Sequence, residues 1–180
     1  MPRRPNAGLE SAILKSALHL LDSAGLDSVT MREVAKGAKT TTPTVYERFA
    51  DREALVWGVV NVVTLDIYQH VEHAKSIKDL IEGIDSYLDE HPNRVELVNR
   101  YWPVIMSTSR PKPVFELACK LLMETRGCDR RTAAEMAMSL AALLVGTIML
   151  RRSAGNSKVA KDLTASRVKA VNAICRCWKT

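Results

Sequence analysis

Apolar residues along the chain recur at three- and four-residue spacing and almost nowhere alternate, so the pattern predicts helices and no convincing strand. Leu9, Ala12, Ile13, Ala17, Leu20, Leu21 and Ala24 form the first stripe, and Gly25 ends it as a C-terminal glycine would. Thr30-Met31-Arg32-Glu33 then reads as a capping box. The threonine hydroxyl accepts from the Glu33 N–H, and the glutamate reaches back to the Thr30 N–H. Met31, Val34, Ala35 and Ala38 give this second helix a short apolar face. A third helix of about two turns is predicted to open at Pro43 with Thr42 as its cap, since a first-turn proline loses no helical bond. Asp51 caps a long fourth helix, expected over 51–75 and carrying Leu55, Val59, Val62, Val63 and Ile67. Five more are predicted at 77–90, 92–108, 112–126, 131–152 and 158–178. The expected class is all-α, with about nine helices.

The last two helices differ from the rest. Met136 to Leu150 is apolar around almost its whole circumference, and the final helix keeps a stripe at Thr164, Val168, Val171, Cys175 and Trp178. A helix apolar on all sides needs cover on all sides, and a chain of this length has few elements left to provide it. Pairing of 131–152 and 158–178 with their copies in a four-helix interface would provide it, which predicts a symmetric homodimer.

Composition narrows the class without fixing a function. The chain of 180 residues is 47% hydrophobic and 26% charged, ordinary for a folded globular protein. Four cysteines, Cys119, Cys128, Cys175 and Cys177, form neither a CxxC pair nor a dense framework, and no signal-peptide pattern opens the sequence, so a reduced, cytoplasmic protein is expected. The longest charge-free run, Met136 to Leu150, falls short of the roughly 18 to 20 residues that cross a bilayer and is expected to be a buried helix. Net charge is +6, which favours a polyanionic partner. Yet the excess lies at the C-terminal end, where 151–180 holds the single acid Asp162, while 1–56 is nearly balanced. A nucleic-acid role for the N-terminal part therefore has to rest on which residues face outward.

Two short helices joined by a break of about four residues, with a long helix after them, have the proportions of a helix-turn-helix. The shorter second helix would then lie in the major groove of DNA, preceded by Lys39, Thr40, Thr41 and Thr42 and carrying Thr44. Hydroxyls suit phosphate oxygens or base edges, and threonine methyls can touch thymine methyls. The order Thr30, Val34-Ala35, Thr44-x-Tyr46-x-x-Phe49 and Asp51-Arg52-Glu53-x-Leu55 resembles the TetR (tetracycline-repressor-like) family of bacterial transcriptional regulators, over Leu9 to Leu55. The resemblance implies that Thr30 and Tyr46 contact phosphates, Thr44 sits in the recognition helix, Arg52 binds the DNA backbone, and Phe49 belongs to the core. Arg32 and Arg48 complete the candidate DNA-binding set. Where the family usually has glycine and valine in the turn this chain has Lys39 and Thr40, which predicts a strained or differently shaped turn. Arg48 stands where the family usually has histidine. A basic arm with Arg3 and Arg4 is a candidate to enter a neighbouring minor groove, although an unstructured basic start is the commoner meaning of such a segment.

The resemblance further implies two domains, 1–50 for DNA and 51–180 for effector binding and dimerisation, and a function as a repressor released from a palindromic operator by a small molecule. Asn99, Tyr101, Trp102, Met106, Met123, Met138, Ser139 and Thr147, polar or soft side chains within apolar helical stretches, are the candidate pocket residues. Asp66, His70 and His73 fall on one face of the fourth helix at metal-ligand spacing, but solvated polar residues near a helix end are the plainer reading and no metal or other cofactor is expected. No nucleophile elbow, phosphate loop or HExxH stands in the sequence, so an enzyme is not expected. The competing reading is an all-helical dimeric interaction protein without DNA affinity.

Overall fold

A computed structural model describes residues 7–155 and 157–177. The basic arm with Arg3 and Arg4, Trp178 at the end of the last stripe and the Cys177 side chain lie outside the description. Among the described residues there are nine α-helices and no strand: α1 (Ala7–Ala24), a 3-10 turn (Leu26–Ser28), α2 (Met31–Gly37), α3 (Thr42–Tyr46), α4 (Arg52–Val71), α5 (Ile77–Glu90), α6 (Arg94–Ser107), α7 (Pro113–Arg126), α8 (Arg130–Ala154) and α9 (Lys158–Cys177). The fold class is all-α, as the periodicity predicts. α4 ends sooner and α6 starts later than expected. By length and composition α4 and α8 are each apolar enough to cross a membrane, which a count of charge-free positions understates.

The chain divides into two compact units, one holding residues up to Asp66 together with His91–Ser107, the other Ile67–Glu90 together with everything from Thr108. In the first unit, α1 buries Ile13, Ala17 and Leu21, α2 packs against both α1 and α3, and Val34 and Ala35 of α2, Val45 of α3 and Leu55, Val56 and Val59 of α4 are buried as well. α1 and α2 approach closely because Gly37 has no side chain; a Cβ there would collide with the Ser16 hydroxyl. That hydroxyl is itself buried and donates to the Val34 carbonyl at 3.0 Å. α6 completes the unit. Its Arg94, 4% exposed, donates to both carboxylate oxygens of Asp22 on α1 at 2.7 Å and to Asp66 on α4 at 3.1 Å, and Asn93 adds a bond to the Asp22 carbonyl at 2.8 Å. Farther along, the Tyr101 hydroxyl meets the Glu53 carboxylate at 3.0 Å while its ring stands edge-on to Trp57. Pro103 lies inside α6, where it can supply no backbone N–H.

In the second unit α8 packs along α7 and α9, and α5 packs against α7 and α8. Asp129 caps α8 by accepting from the Thr132 N–H at 2.7 Å, and that bond holds its carboxyl below the usual carboxylate range. Gly127, with φ 64°, ends α7 as its place in the sequence predicts. One face of α8 buries Ala133, Met136, Ala137, Leu140, Leu144 and Ile148, while Met138, Met149 and Leu150 stay exposed, as do Val159 and Val168 on α9. A charged knot ties three helices together: Arg151 of α8 and the buried Arg167 of α9 both hydrogen-bond the Asp85 carboxylate of α5, and Arg151 also reaches Asp89 at 2.7 Å.

Burial on its own would raise the Asp85 pKa; the hydrogen bonds and charges of Arg167 and Arg151 outweigh it and leave the group below its ordinary value. A carboxyl depressed in the folded state stabilises above its unfolded pKa of about 3.9, and that contribution is lost as pH falls through the folded value. Asp85→Asn should therefore cost about 3 kcal/mol at pH 7, because it leaves two guanidiniums in the knot facing a neutral amide. Urea denaturation at pH 7 and near pH 3 checks this. The gap between wild type and variant should narrow at the lower pH, and a pH-independent gap would count against the charge as its origin.

Candidate DNA-binding interface

The interface is built from the two breaks that flank α2. At its start Thr30 adopts an extended conformation and its hydroxyl accepts from the Glu33 N–H at 3.2 Å. Only this half of the expected capping box forms, because the Thr30 N–H is already donated to the Ser28 carbonyl at 2.9 Å by the preceding 3-10 turn. At the end of α2 the Lys39 N–H bonds the Lys36 carbonyl at 3.2 Å and the Thr40 N–H bonds the Ala35 carbonyl at 2.9 Å. These are the two bonds of a Schellman motif, which puts the residue after the cap in the left-handed region. Lys39 occupies that place with φ 53°. The strain expected from a missing glycine is thus located at one residue, at a cost on the order of 1 kcal/mol.

α3 begins one residue earlier than its proline suggests. Thr41, not Thr42, is the cap, accepting from the Thr44 N–H at 3.3 Å, and its hydroxyl pairs with that of Thr44 at 2.8 Å. Of the five threonine and lysine positions from Lys39 to Thr44, Lys39 and Thr41 are exposed and Thr40, Thr42 and Thr44 half-buried. Val45 and Phe49 point into the core beneath. Tyr46 is 52% exposed, so its hydroxyl is presented outward and its ring is not packed away. Arg32 is exposed and Arg48 half-buried. Asp22, an acid that would oppose DNA if it faced outward, is held by Arg94 instead.

Arg52 sits differently from a simple phosphate ligand. Its guanidinium donates to the Val29 carbonyl at 2.7 Å and the Leu26 carbonyl at 2.8 Å, so the first residue of α4 clamps the turn between α1 and α2. Asp51 caps the same helix end, accepting from the Ala54 N–H at 2.7 Å, as the sequence predicts. The candidate pocket residues fall in two groups: Asn99, Tyr101, Trp102 and Met106 belong to α6 in the first unit, Met123, Met138, Ser139 and Thr147 to α7 and α8 in the second. Tyr101 is engaged by Glu53, Met123 and Met138 are exposed, and Ser139 and Thr147 spend their hydroxyls on carbonyls of their own helix. Asp66 is taken up by Arg94 and His70 stands edge-on to Tyr87. Among the described residues no three His, Cys, Asp or Glu gather as a metal site would need.

Residues 13–57 match the family model of bacterial regulatory proteins of the tetR family. These N-terminal helices are similar to the DNA-binding segment of the TetR family. The TetR-type fold extends over most of the chain: a possible TetR family transcriptional regulator from Streptomyces coelicolor A3(2) superposes with a TM-score of 0.70 at 16% identity, covering 92% of this chain and 96% of its own. TetR from Acinetobacter baumannii AYE gives 0.66 at 16% identity, covering 91% and 92%, and a TetR transcriptional regulator from Legionella pneumophila 0.61 at 20%, covering 94% and 99%. No curated protein matches the chain by sequence.

The sequence pointed to the TetR-type helices but not to Ser16 or Arg94, whose partners lie 18 and up to 72 positions away. A serine at helical spacing from Ala12, Ile13 and Leu20 is the one signal it offered; Arg94, between Asn93 and Val95, stands out in no way. For Arg52 the expected outcome of replacement by methionine is a loss of about 2 kcal/mol in stability, since two carbonyls lose a charged donor. Chemical denaturation measures it. Wild-type stability combined with weakened DNA binding would return Arg52 to a purely phosphate-facing role.

Proposed function

We propose that the chain is a ligand-responsive transcriptional repressor that binds a palindromic operator as a homodimer and is released by a small-molecule effector. DNA-binding transcriptional regulation follows from the TetR-type domain. The observation that carries the finer reading is the outward display of Thr41, Lys39 and the Tyr46 hydroxyl around a short recognition helix whose core side, Val45 and Phe49, is buried. In this reading Thr30, Arg32, Lys39, Thr40, Thr41, Thr42, Thr44, Tyr46 and Arg48 face DNA, and Arg52 contributes by holding the α1–α2 turn in place.

Dimerisation is supported by the outer face of α8, where Met138, Ala142, Val145 and Met149 follow one another at helical spacing and the missing side chain of Gly146 opens onto empty space. Such a face lets a partner helix approach closely. A dimer on B-DNA needs its recognition helices about 34 to 36 Å apart, so a modest change in their separation weakens both half-site contacts at once. An effector acts only by its difference in affinity for the two arrangements. TetR from A. baumannii, a variant of which is solved in complex with minocycline, is similar in fold and supports a small-molecule effector for this chain, with residues 51–180 proposed to hold it. A cytoplasmic location fits this function.

Selection of the purified protein against a randomised duplex library is the test. Enrichment of an inverted repeat, with affinity falling steeply as salt rises, is the expected result. Recovery of no motif by folded dimer would favour the helical interaction protein. On the enriched duplex, Tyr46→Phe should lower affinity across sequences by roughly threefold to tenfold, as loss of one hydrogen bond to a charged acceptor does, with unfolding stability unchanged. Unchanged affinity would take Tyr46 off the phosphate.

A further inference from the structure

The charged knot of the second unit opens onto a cavity of about 640 Å³ where the end of α8 meets the start of α9, and its wall is unevenly charged. Arg151, Arg152 and Lys161 line it, against the single acid Asp89. Arg152 and Lys161 have no ion-pair partner among the described residues, while Arg151 is shared between two carboxylates of α5. Those two acids are not equivalent. Asp85 is 13% exposed and also held by Arg167, whereas Asp89 is 60% exposed and held by Arg151 alone, through one oxygen at 2.7 Å.

We propose that this cavity is a binding site for a small dianion, a phosphate monoester or a dicarboxylate, which takes the place of Asp89 on Arg151 and is closed in by Arg152 and Lys161. Two unpaired cations set the charge of the occupant at two; the Arg152 guanidinium offers the fork geometry that oxyanions favour, while Arg151, whose Nη1 and Nη2 already grip both oxygens of Asp85, adds only the Nη2 bond now given to Asp89. The volume falls within the range of small-molecule sites and exceeds what one phosphate fills, which leaves room for a carbon skeleton. Exchange of Asp89 for a ligand also has a structural consequence. It removes the bond from Arg151 to Asp89 and leaves both bonds to Asp85 in place, so occupancy loosens the end of α5 without dissolving the knot.

The site does not rest on DNA binding, and its test uses the full chain without DNA. Isothermal titration with inorganic phosphate and with succinate should give saturable binding of at least one, phosphate alone indicating a phosphate ester and succinate alone a dicarboxylate. The double variant Arg152→Ala/Lys161→Ala should weaken that binding at least tenfold. Asp89→Asn should tighten it several-fold, because it frees the Arg151 donor, an outcome that a merely structural role for Asp89 would not produce. All three positions are solvent-facing, and thermal melts confirm that the variants fold. Absence of saturable binding for both probes, equal affinity in all three proteins, or weaker binding by Asp89→Asn would overturn the proposal. Failure of the operator selection would leave it standing.

Discussion

A guanidinium cannot leave water without acceptors to replace it, and this constraint organises both halves of the molecule. In the first unit Arg94 is nearly inaccessible, and its donors find carboxylates only if Asp22 at the end of α1 and Asp66 in α4 stand at one place in space. Three helices distant in sequence are thereby fixed relative to each other by a group that hydrophobic packing alone would have left indifferent. The second unit repeats the solution with other residues. Arg167 and Arg151 converge on Asp85, so α5, α8 and α9 share one electrostatic joint. Such joints contribute less to net stability than their geometry suggests, since desolvation offsets much of the attraction. Their effect is on which arrangement of helices is tolerated.

The proposed DNA-reading surface takes its shape from further supports within the first unit. α2 is seated by a buried hydroxyl and a glycine, its first turn is preceded by a 3-10 segment whose carbonyls Arg52 gathers in, and its end is turned by a left-handed lysine. None of these groups needs to touch DNA to matter for reading it. They set where Thr41, Thr44 and Tyr46 stand, and a hydroxyl displaced by an ångström no longer reaches a phosphate.

How much of this could be read from the chain depended on the range of the interaction. Local chemistry was legible: Asp51 as a cap, Gly127 as a helix stop, the apolar phase of α1, and the extent of α5 all follow from residues a few positions apart. Where several local solutions were open the sequence misled. Three consecutive threonines can each cap a helix, and proline is tolerated at the second position as well as the first, so the pattern does not single out Thr41 over Thr42. The far half of the Thr30 capping box was pre-empted by a carbonyl two residues upstream. The candidate pocket was least legible. Soft and polar residues on α6, α7 and α8 look alike in a linear pattern, and only the fold assigns Tyr101 to Glu53 and Thr147 to its own backbone.

Pro103 gives α6 an unequal sense of time. Ahead of it, Arg94 and Tyr101 fasten the helix to α1 and α4; behind it, the ladder of backbone bonds lacks a rung that no side chain can restore. Local opening begins where a helix is least bonded, and it runs from microseconds to seconds, far faster than global unfolding. Opening of this fourteen-residue helix is therefore expected to start behind Pro103 and on a shorter clock than the front, which Arg94 and Tyr101 hold.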